Sequence, residues 1–147
     1  MTIREATIQD IPQLAGLFDA YRIFYKNKSD ILSAISFLSE RINNNESVIY
    51  ISEDEGNNLT GFVQLYPLFS STRMKKLWLL NDLFVSPELR GKGISVALIE
   101  HAKDLCRTSG SCGMILETAK SNLIGNNLYP KTGFELENDH NYYSWDV

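Results

Sequence analysis

The sequence is poor in several features that would restrict its function. It has only two cysteines, Cys106 and Cys112, six residues apart and without histidines at metal-ligand spacing, so we expect neither a disulfide framework nor a zinc site. No apolar run approaches the roughly 18 residues of a membrane-spanning helix. The first residues, MTIRE, lack the basic-then-apolar form of a secretory signal. These absences predict a cytoplasmic protein that binds no metal and no membrane.

Positive charge is also scarce, since 14 lysines and arginines face 18 aspartates and glutamates and the formal net charge is −4. Nucleic-acid-binding proteins carry basic surfaces that neutralise phosphates, so we expect no nucleic-acid partner. A negative charge mildly favours a cationic small substrate without selecting one. The length of 147 residues and the 44% of hydrophobic residues predict one domain, residues 1–147, with a buried core.

Apolar residues change their spacing along the chain, from helical to alternating and back. Asp10 is expected to cap the first helix, with Gln13 three residues later. Helices are predicted over 11–24, from after Ser29 to Ile42, over 94–107 and over 122–129. Strands are predicted over 2–6, 48–52, 59–69, 77–85, 114–118 and from Phe134 onward. This order predicts an α/β fold with a mixed central sheet of about seven strands and helices on both faces.

The segment LFVSPELRGKGIS, from Leu83 to Ser95, is the most informative part of the chain. A strand ends there, Gly91 and Gly93 allow backbone angles that a Cβ would forbid, and a helix begins at once. The first helical N–H groups lack internal partners and carry about half a positive charge, so a pyrophosphate could bind them, with Arg90 and Lys92 as nearby cations. The alternative is a tight loop whose basic side chains are simply solvated.

Two widespread phosphate-binding motifs do not fit this turn. The pattern GxxxxGK[ST] is absent, and Val96 stands where the third glycine of GxGxxG belongs. The turn instead resembles motif A of the GCN5-related N-acetyltransferases (the GNAT family), [QR]xxGx[GA], with Arg90 first, Gly93 fourth and Ser95 in place of the final Gly or Ala. The resemblance implies that the loop binds the pyrophosphate of acetyl-CoA and that the preceding strand pairs with the pantetheine arm. The implied cofactor-binding residues are Leu83, Phe84, Val85, Arg90, Gly91, Lys92, Gly93, Ile94, Ser95 and Asn122.

A second stretch, Asn122 to Phe134, resembles the later pattern of the same family, NxxAxxLYxxxGF. Gly125 replaces its alanine, which weakens a helix by about 1 kcal/mol. Pro130 is a further departure and is expected to end the helix near Tyr129. The resemblance implies that Tyr129 is the general acid that protonates the leaving thiolate. A phenol suits this role, since it stays protonated at neutral pH.

Acetyl transfer also needs a neutral amine, whereas an alkylammonium of pKa about 10.4 is mostly charged at neutral pH. Asp82 and Glu117 lie on the two strands that should separate around the cofactor arm, so either could serve as the base; Asp82 could also act through water or hold the ammonium. The alternative for both is a structural hydrogen-bond acceptor. The spermidine/spermine acetyltransferase-like branch, which the chain resembles most, has Glu-Asp where this chain has Asn81-Asp82. A backbone N–H near Val85 is the expected donor to the thioester oxygen.

The sequence therefore predicts an N-acetyltransferase that transfers acetyl directly from acetyl-CoA to a primary amine, preferably a small cationic one. The alternatives are a non-catalytic acyl-CoA sensor and an acetyltransferase for protein lysines or N-termini. The aromatic residues expected either beside the acceptor groove or in the core are Tyr21, Tyr25, Tyr66 and Phe69. An alternating terminal strand, Tyr142 to Val147, would either support a homodimer or be covered within the monomer.

Overall fold

The computed structural model describes residues 1–147 and divides into two compact units, Met1–Glu117 and Thr118–Val147. The first unit contains strands β1 (Thr2–Glu5), β2 (Val48–Glu53), β3 (Leu59–Ser70), β4 (Lys75–Val85) and β5 (Met114–Ile115) and helices α1 (Ile11–Phe24), α2 (Ile31–Asn43) and α3 (Ile94–Thr108). The second unit contains α4 (Leu123–Lys131). None of these helices is both long and apolar enough to cross a membrane.

The five strands form one sheet in the order β1-β2-β3-β4-β5. The first four strands are antiparallel neighbours, and β5 pairs parallel to β4 after the α3 crossover. The short polar turns of the sequence produce the antiparallel part, because such strands need only a short connection, whereas a parallel strand needs a helical crossover. The prediction of an α/β fold with a mixed sheet is therefore confirmed.

The sheet has five strands where about seven were predicted, and the difference lies at its end. β5 is confined to Met114–Ile115, and no strand follows α4. Tyr143, Trp145 and Val147 alternate as expected but are exposed, and no backbone hydrogen bond pairs them with another segment. Alternation defines which residues share a face of a strand, but a strand also needs a partner for its backbone groups.

Helices cover both faces of the sheet. On one face, α1 and α2 bury a cluster with β2, β3 and β4; its members include Leu14, Phe18, Leu38, Ile51, Phe62 and Phe84. The alternate residues of β3, Val63 and Leu65, are also fully buried and point to the opposite face, which α3 covers. Burial on both faces explains why β3 and β4 have long apolar stretches with few polar positions.

The start of α1 differs from the predicted cap. The carboxylate of Asp10 makes no capping hydrogen bond to the helix and instead accepts from the Thr7 N–H at 2.7 Å and from Arg4. A short 3₁₀ turn precedes the helix and places Asp10 in helical backbone geometry, so its side chain turns back toward Thr7. Gln13 bonds the turn between β2 and β3, accepting from the Leu59 N–H at 2.9 Å.

Candidate active site

The β5-facing edge of β4 is open over half of the strand. β5 pairs only with Trp78 and Leu79, so the edge is without a partner strand from Leu80 to Val85. The Ser86 N–H donates to the Thr60 carbonyl on the β3 side at 3.0 Å. Since backbone groups alternate in direction along an antiparallel strand, Val85 and Leu83 direct theirs toward the open edge. Phe84 directs its backbone groups to β3 and its side chain into the core.

This open segment begins at a β-bulge. The pairing with β3 shifts register between Gln64 and Leu65, which leaves Asn81 as the extra residue of β4. A bulge bends its strand and redirects the side chains beside it. Here it places the side chain of Asp82 on the same face of the sheet as Gln64, to which it pairs.

Asp82 is a buried carboxylate, 5% exposed, whose hydrogen bonds come from neutral amides. Gln64 Nε2 donates to Oδ2 at 2.8 Å, and Asn81 Nδ2 donates to Oδ1 at 3.1 Å. Gln64 is itself fully buried and accepts from Ser47 Oγ at 2.9 Å. Burial raises the pKa of Tyr66 to about 12, and the charge of Asp82 adds to this rise. The acidic group thus lies beside a phenol that stays protonated at neutral pH.

The turn between β4 and α3 leaves six consecutive N–H groups, those of Gly91 to Val96, without an acceptor in the chain. The first bond of the helix runs from the Ala97 N–H to the Gly93 carbonyl at 3.0 Å. Gly91 and Gly93 both have φ of 79°, a conformation that other residues rarely adopt, and both are exposed. The donors therefore lie at the positive end of the α3 dipole, as an anion-binding turn requires.

The two basic side chains of this turn differ. Arg90 Nε donates to the Val85 carbonyl at 3.2 Å, which directs the guanidinium toward the end of β4. Lys92 is exposed and makes no ion pair within the chain. Lys92 is thus the cation of the turn that remains available to a phosphate.

The structure does not bring the second predicted carboxylate, Glu117, into a comparable setting. It lies two residues beyond the end of β5, is exposed, and has no hydrogen bond or ion pair. The prediction that it belongs to a strand is therefore wrong, because β5 ends at Ile115. Its proposed role as a base rests on the sequence alone.

In the second unit, α4 and the residues on either side of it contain the other motif. Asn122 caps the helix by accepting from the Gly125 N–H at 3.1 Å, and its Nδ2 donates to Thr118 Oγ1 at 2.9 Å. The ring of Tyr129 meets that of Phe134 edge-on, with centroids 5.8 Å apart. The helix continues through Pro130 to Lys131 rather than ending at Tyr129.

Gly125 fits closely inside this cap. A Cβ there would lie 2.6 Å from Asn122 Nδ2 and 3.2 Å from the Tyr129 ring. The glycine that replaces the alanine of the family pattern therefore allows the asparagine cap and the tyrosine ring to approach the helix backbone. In the sequence, only the glycine itself indicates this close approach, and it was predicted merely to weaken the helix.

Sequence reasoning also missed Gln64 and Phe24. A glutamine in the apolar run from Phe62 to Leu65 signals a buried hydrogen-bond partner, since buried polar side chains are nearly always bonded. Phe24 lies at the end of α1, where its helical spacing indicates only a core residue. Its ring lies 5.5 Å from the guanidinium carbon of Arg90.

The open edge of β4 and the unpartnered amides of the following turn lie next to each other at the start of α3. The sequence model of the Acetyltransferase (GNAT) family matches residues 14–134. The chain therefore belongs to the GNAT family of N-acetyltransferases, a family that uses acetyl-CoA as cosubstrate.

Proteins of similar sequence and structure align with all or nearly all of the chain. The uncharacterized N-acetyltransferase YhfO of Bacillus subtilis is 42% identical over 147 residues, which is 100% of this chain and 98% of that protein. A probable acetyltransferase of Haemophilus influenzae is 32% identical and covers 92% of this chain and 91% of its own. The crystal structure of a probable acetyltransferase superimposes with a TM-score of 0.95 at 36% identity, covering 100% of this chain and 98% of that one.

Proposed function

We propose that this N-acetyltransferase transfers acetyl directly from acetyl-CoA to a small cationic primary amine, as the spermidine/spermine acetyltransferase-like branch does. The run of unpartnered N–H groups from Gly91 to Val96, adjoining the open edge of β4, is the observation that carries the donor half of this proposal. Anions bind such runs of backbone donors. When bound, acetyl-CoA supplies the activated acetyl group as a thioester.

The donor side is assigned mainly to backbone groups. The N–H groups of Gly91, Gly93, Ile94 and Ser95 hold the pyrophosphate, and Lys92 adds a positive charge. The backbone of Leu83 and Val85 pairs with the pantetheine arm along the open edge. The Val85 N–H donates to the thioester oxygen, where negative charge develops during acyl transfer.

The acceptor side is assigned to Asp82. Its charge is buried, and the amides of Gln64 and Asn81 solvate that charge without neutralising it. A buried charge is stabilised by an opposite charge, so an ammonium is the ligand that suits this carboxylate best. Asp82 then also accepts the proton that the amine must lose before it attacks, directly or through water.

The remaining roles follow from motif position. Tyr129 takes the tyrosine position of the second motif and is proposed to protonate the leaving thiolate, while Asn122 shapes the start of the same helix. Glu117 is the second candidate base. A streptothricin acetyltransferase of Escherichia coli is 33% identical over 96 residues and covers 59% of this chain, which supports an acceptor that is not a protein.

Thiol release from acetyl-CoA with a panel of polyamines, amino acids and lysine peptides tests the assignment. We expect turnover with a small cationic amine and a rise of about tenfold or more in its KM in Asp82→Asn, with coenzyme A affinity unchanged. Tyr129→Phe should lower kcat by about a hundredfold without changing either affinity.

Three outcomes would contradict this proposal. Coenzyme A binding without thiol release from any amine would identify a sensor. Turnover of peptides alone would identify a protein acetyltransferase. An unchanged KM in Asp82→Asn would remove Asp82 from the acceptor site.

A further inference from the structure

We infer that Arg90 is a positioning residue for the coenzyme A site, which couples the end of α1 to the open edge of β4 through Phe24. This inference rests on the proposed function, because it concerns how the same donor site is built. It also changes the expected role of Arg90, whose place in the turn otherwise indicates a cation for the pyrophosphate.

The Arg90 side chain contacts three groups of the protein itself, one carbonyl and two aromatic rings. Its Nε donates to the Val85 carbonyl at 3.2 Å. Its guanidinium carbon lies 5.6 Å from the centroid of the Phe84 ring and 5.5 Å from that of Phe24. Both ring distances are within the range of cation–π attraction. Arg90 thus joins the turn to the residue of β4 whose N–H is proposed to contact the thioester.

Phe24 is in turn held by a chain of rings that returns to β4. Its centroid lies 5.2 Å from that of Tyr25, which lies 5.0 Å from that of Tyr21. Tyr21 then meets Phe84 at 6.2 Å. The four rings and the guanidinium form a closed circuit between α1 and β4. Phe24, which is 50% exposed at the end of α1, therefore has a specific partner in Arg90.

This arrangement uses the shape of arginine rather than its charge alone. The guanidinium is planar and carries an Nε–H on its stem, so it donates to a carbonyl while its faces meet aromatic rings. A lysine ammonium is a compact point charge without that plane or that Nε–H. Lys92, two residues later and free of ion pairs, supplies a positive charge to the phosphates without such contacts.

The distinction predicts how the turn responds to substitution. If Arg90 binds a phosphate, lysine should preserve coenzyme A affinity and glutamine should lower it. Substitution of Phe24 should then have no influence on that affinity. If Arg90 is a positioning residue, both replacements should lower coenzyme A affinity equally, because both lose the Nε bond to Val85 and the contact with the rings. Phe24, on a different element from the turn, would then alter coenzyme A affinity through Arg90.

Calorimetric titration of the purified variants with coenzyme A decides between these roles. We expect Phe24→Leu to weaken coenzyme A binding about fivefold and Phe24→Tyr, which keeps a ring, to bind within about twofold of the parent. Arg90→Lys and Arg90→Gln should weaken binding to the same extent. Adding Phe24→Leu to Arg90→Lys should weaken it no further, because the contact is already lost. Ile23→Ala, at a neighbouring position of equal exposure, should bind as the parent does.

The outcomes separate this inference from the proposed function. If the parent chain does not bind coenzyme A, the proposed function itself fails. If the parent binds and Arg90→Lys binds equally well, Arg90 acts as a phosphate cation and the inference is overturned. Unchanged affinity in Phe24→Leu, or full additivity with Arg90→Lys, overturns it as well.

Discussion

The two edges of β4 contrast most strongly between Leu80 and Val85. On one edge, β3 pairs with the strand along its whole length, interrupted only by the bulge at Asn81. On the other edge, pairing with β5 stops at Leu79. The closed edge fixes the positions of the backbone groups that are unpaired on the open edge. Groups held in place before binding cost little to order on binding, which is the benefit of preorganisation.

The largest effect is expected from breaking the closed edge at Gly61. A Cβ there would lie 2.7 Å from the Phe84 carbonyl oxygen, and neither backbone can yield without moving β3 from β4. We expect Gly61→Ala to lower the free energy of unfolding by about 3 kcal/mol, measured by urea denaturation. Coenzyme A affinity should fall with it, because Gly61 pairs with Val85.

Gly16→Ala is the matched control. Gly16 lies inside α1, and a Cβ there would meet nothing within 4 Å. Alanine should therefore raise the free energy of unfolding by about 1 kcal/mol, since glycine is a poor helix former. A Gly61→Ala variant as stable as the parent would show that β3 and β4 are not held as closely as described.

A smaller effect, confined to the open side, is expected at Gly93. Its φ of 79° makes alanine cost about 1–2 kcal/mol, and the added methyl group would lie on the turn that presents the amides. Gly93→Ala should therefore weaken coenzyme A binding about tenfold by calorimetry. Gly110→Ala, with φ of 66° at the other end of α3, should lose similar stability and no affinity. Equal coenzyme A affinities for the two variants would show that the turn at Gly93 does not bind coenzyme A.

The smallest effect concerns the far end of the sheet, where Arg4 pairs with Asp10 and Glu53 at 2.8 Å each. The hydrogen bond from Arg4 is the main cause that lowers the pKa of Asp10 from 3.8 to about 2. A lowered folded-state pKa stabilises the fold above the unfolded value, and this stability is lost as pH falls through the folded value.

Arg4→Met should therefore cost about 1 kcal/mol at neutral pH, a cost that shrinks as the pH falls from about 4 toward 2. Urea unfolding across this range measures it. Arg107→Met, which breaks an ion pair exposed on both sides, is the control and should change little at any pH. A cost for Arg4→Met that does not vary with pH would contradict the ion-pair explanation.

The sequence predicts the helices and the first four strands because each has a clear period and its own boundary signals. Asp30 caps α2 through the Ser33 N–H, in agreement with the predicted start of this helix after Ser29. The glycine turn was predictable because positive φ and unpartnered N–H groups depend on local sequence alone.

Pairing across the chain was not predictable in the same way. The alternation of Tyr143, Trp145 and Val147 predicted a strand that has no partner in the structure. The bulge at Asn81 and the bond from Gln64 to Asp82 depend on register between strands, which the pattern of one strand does not contain. The contacts of Arg90 with Phe24 and Val85 were not predictable either, because those partners lie on α1 and β4.

Amide NMR during titration with coenzyme A tests the central claim most directly. The claim is that the N–H groups from Gly91 to Val96 bind the diphosphate. On binding, the resonances of Gly91, Gly93 and Ile94 should shift most, while those of Gly16 and Gly110 stay in place. Binding that leaves the Gly91–Val96 resonances unmoved, or no binding at all, would contradict the account.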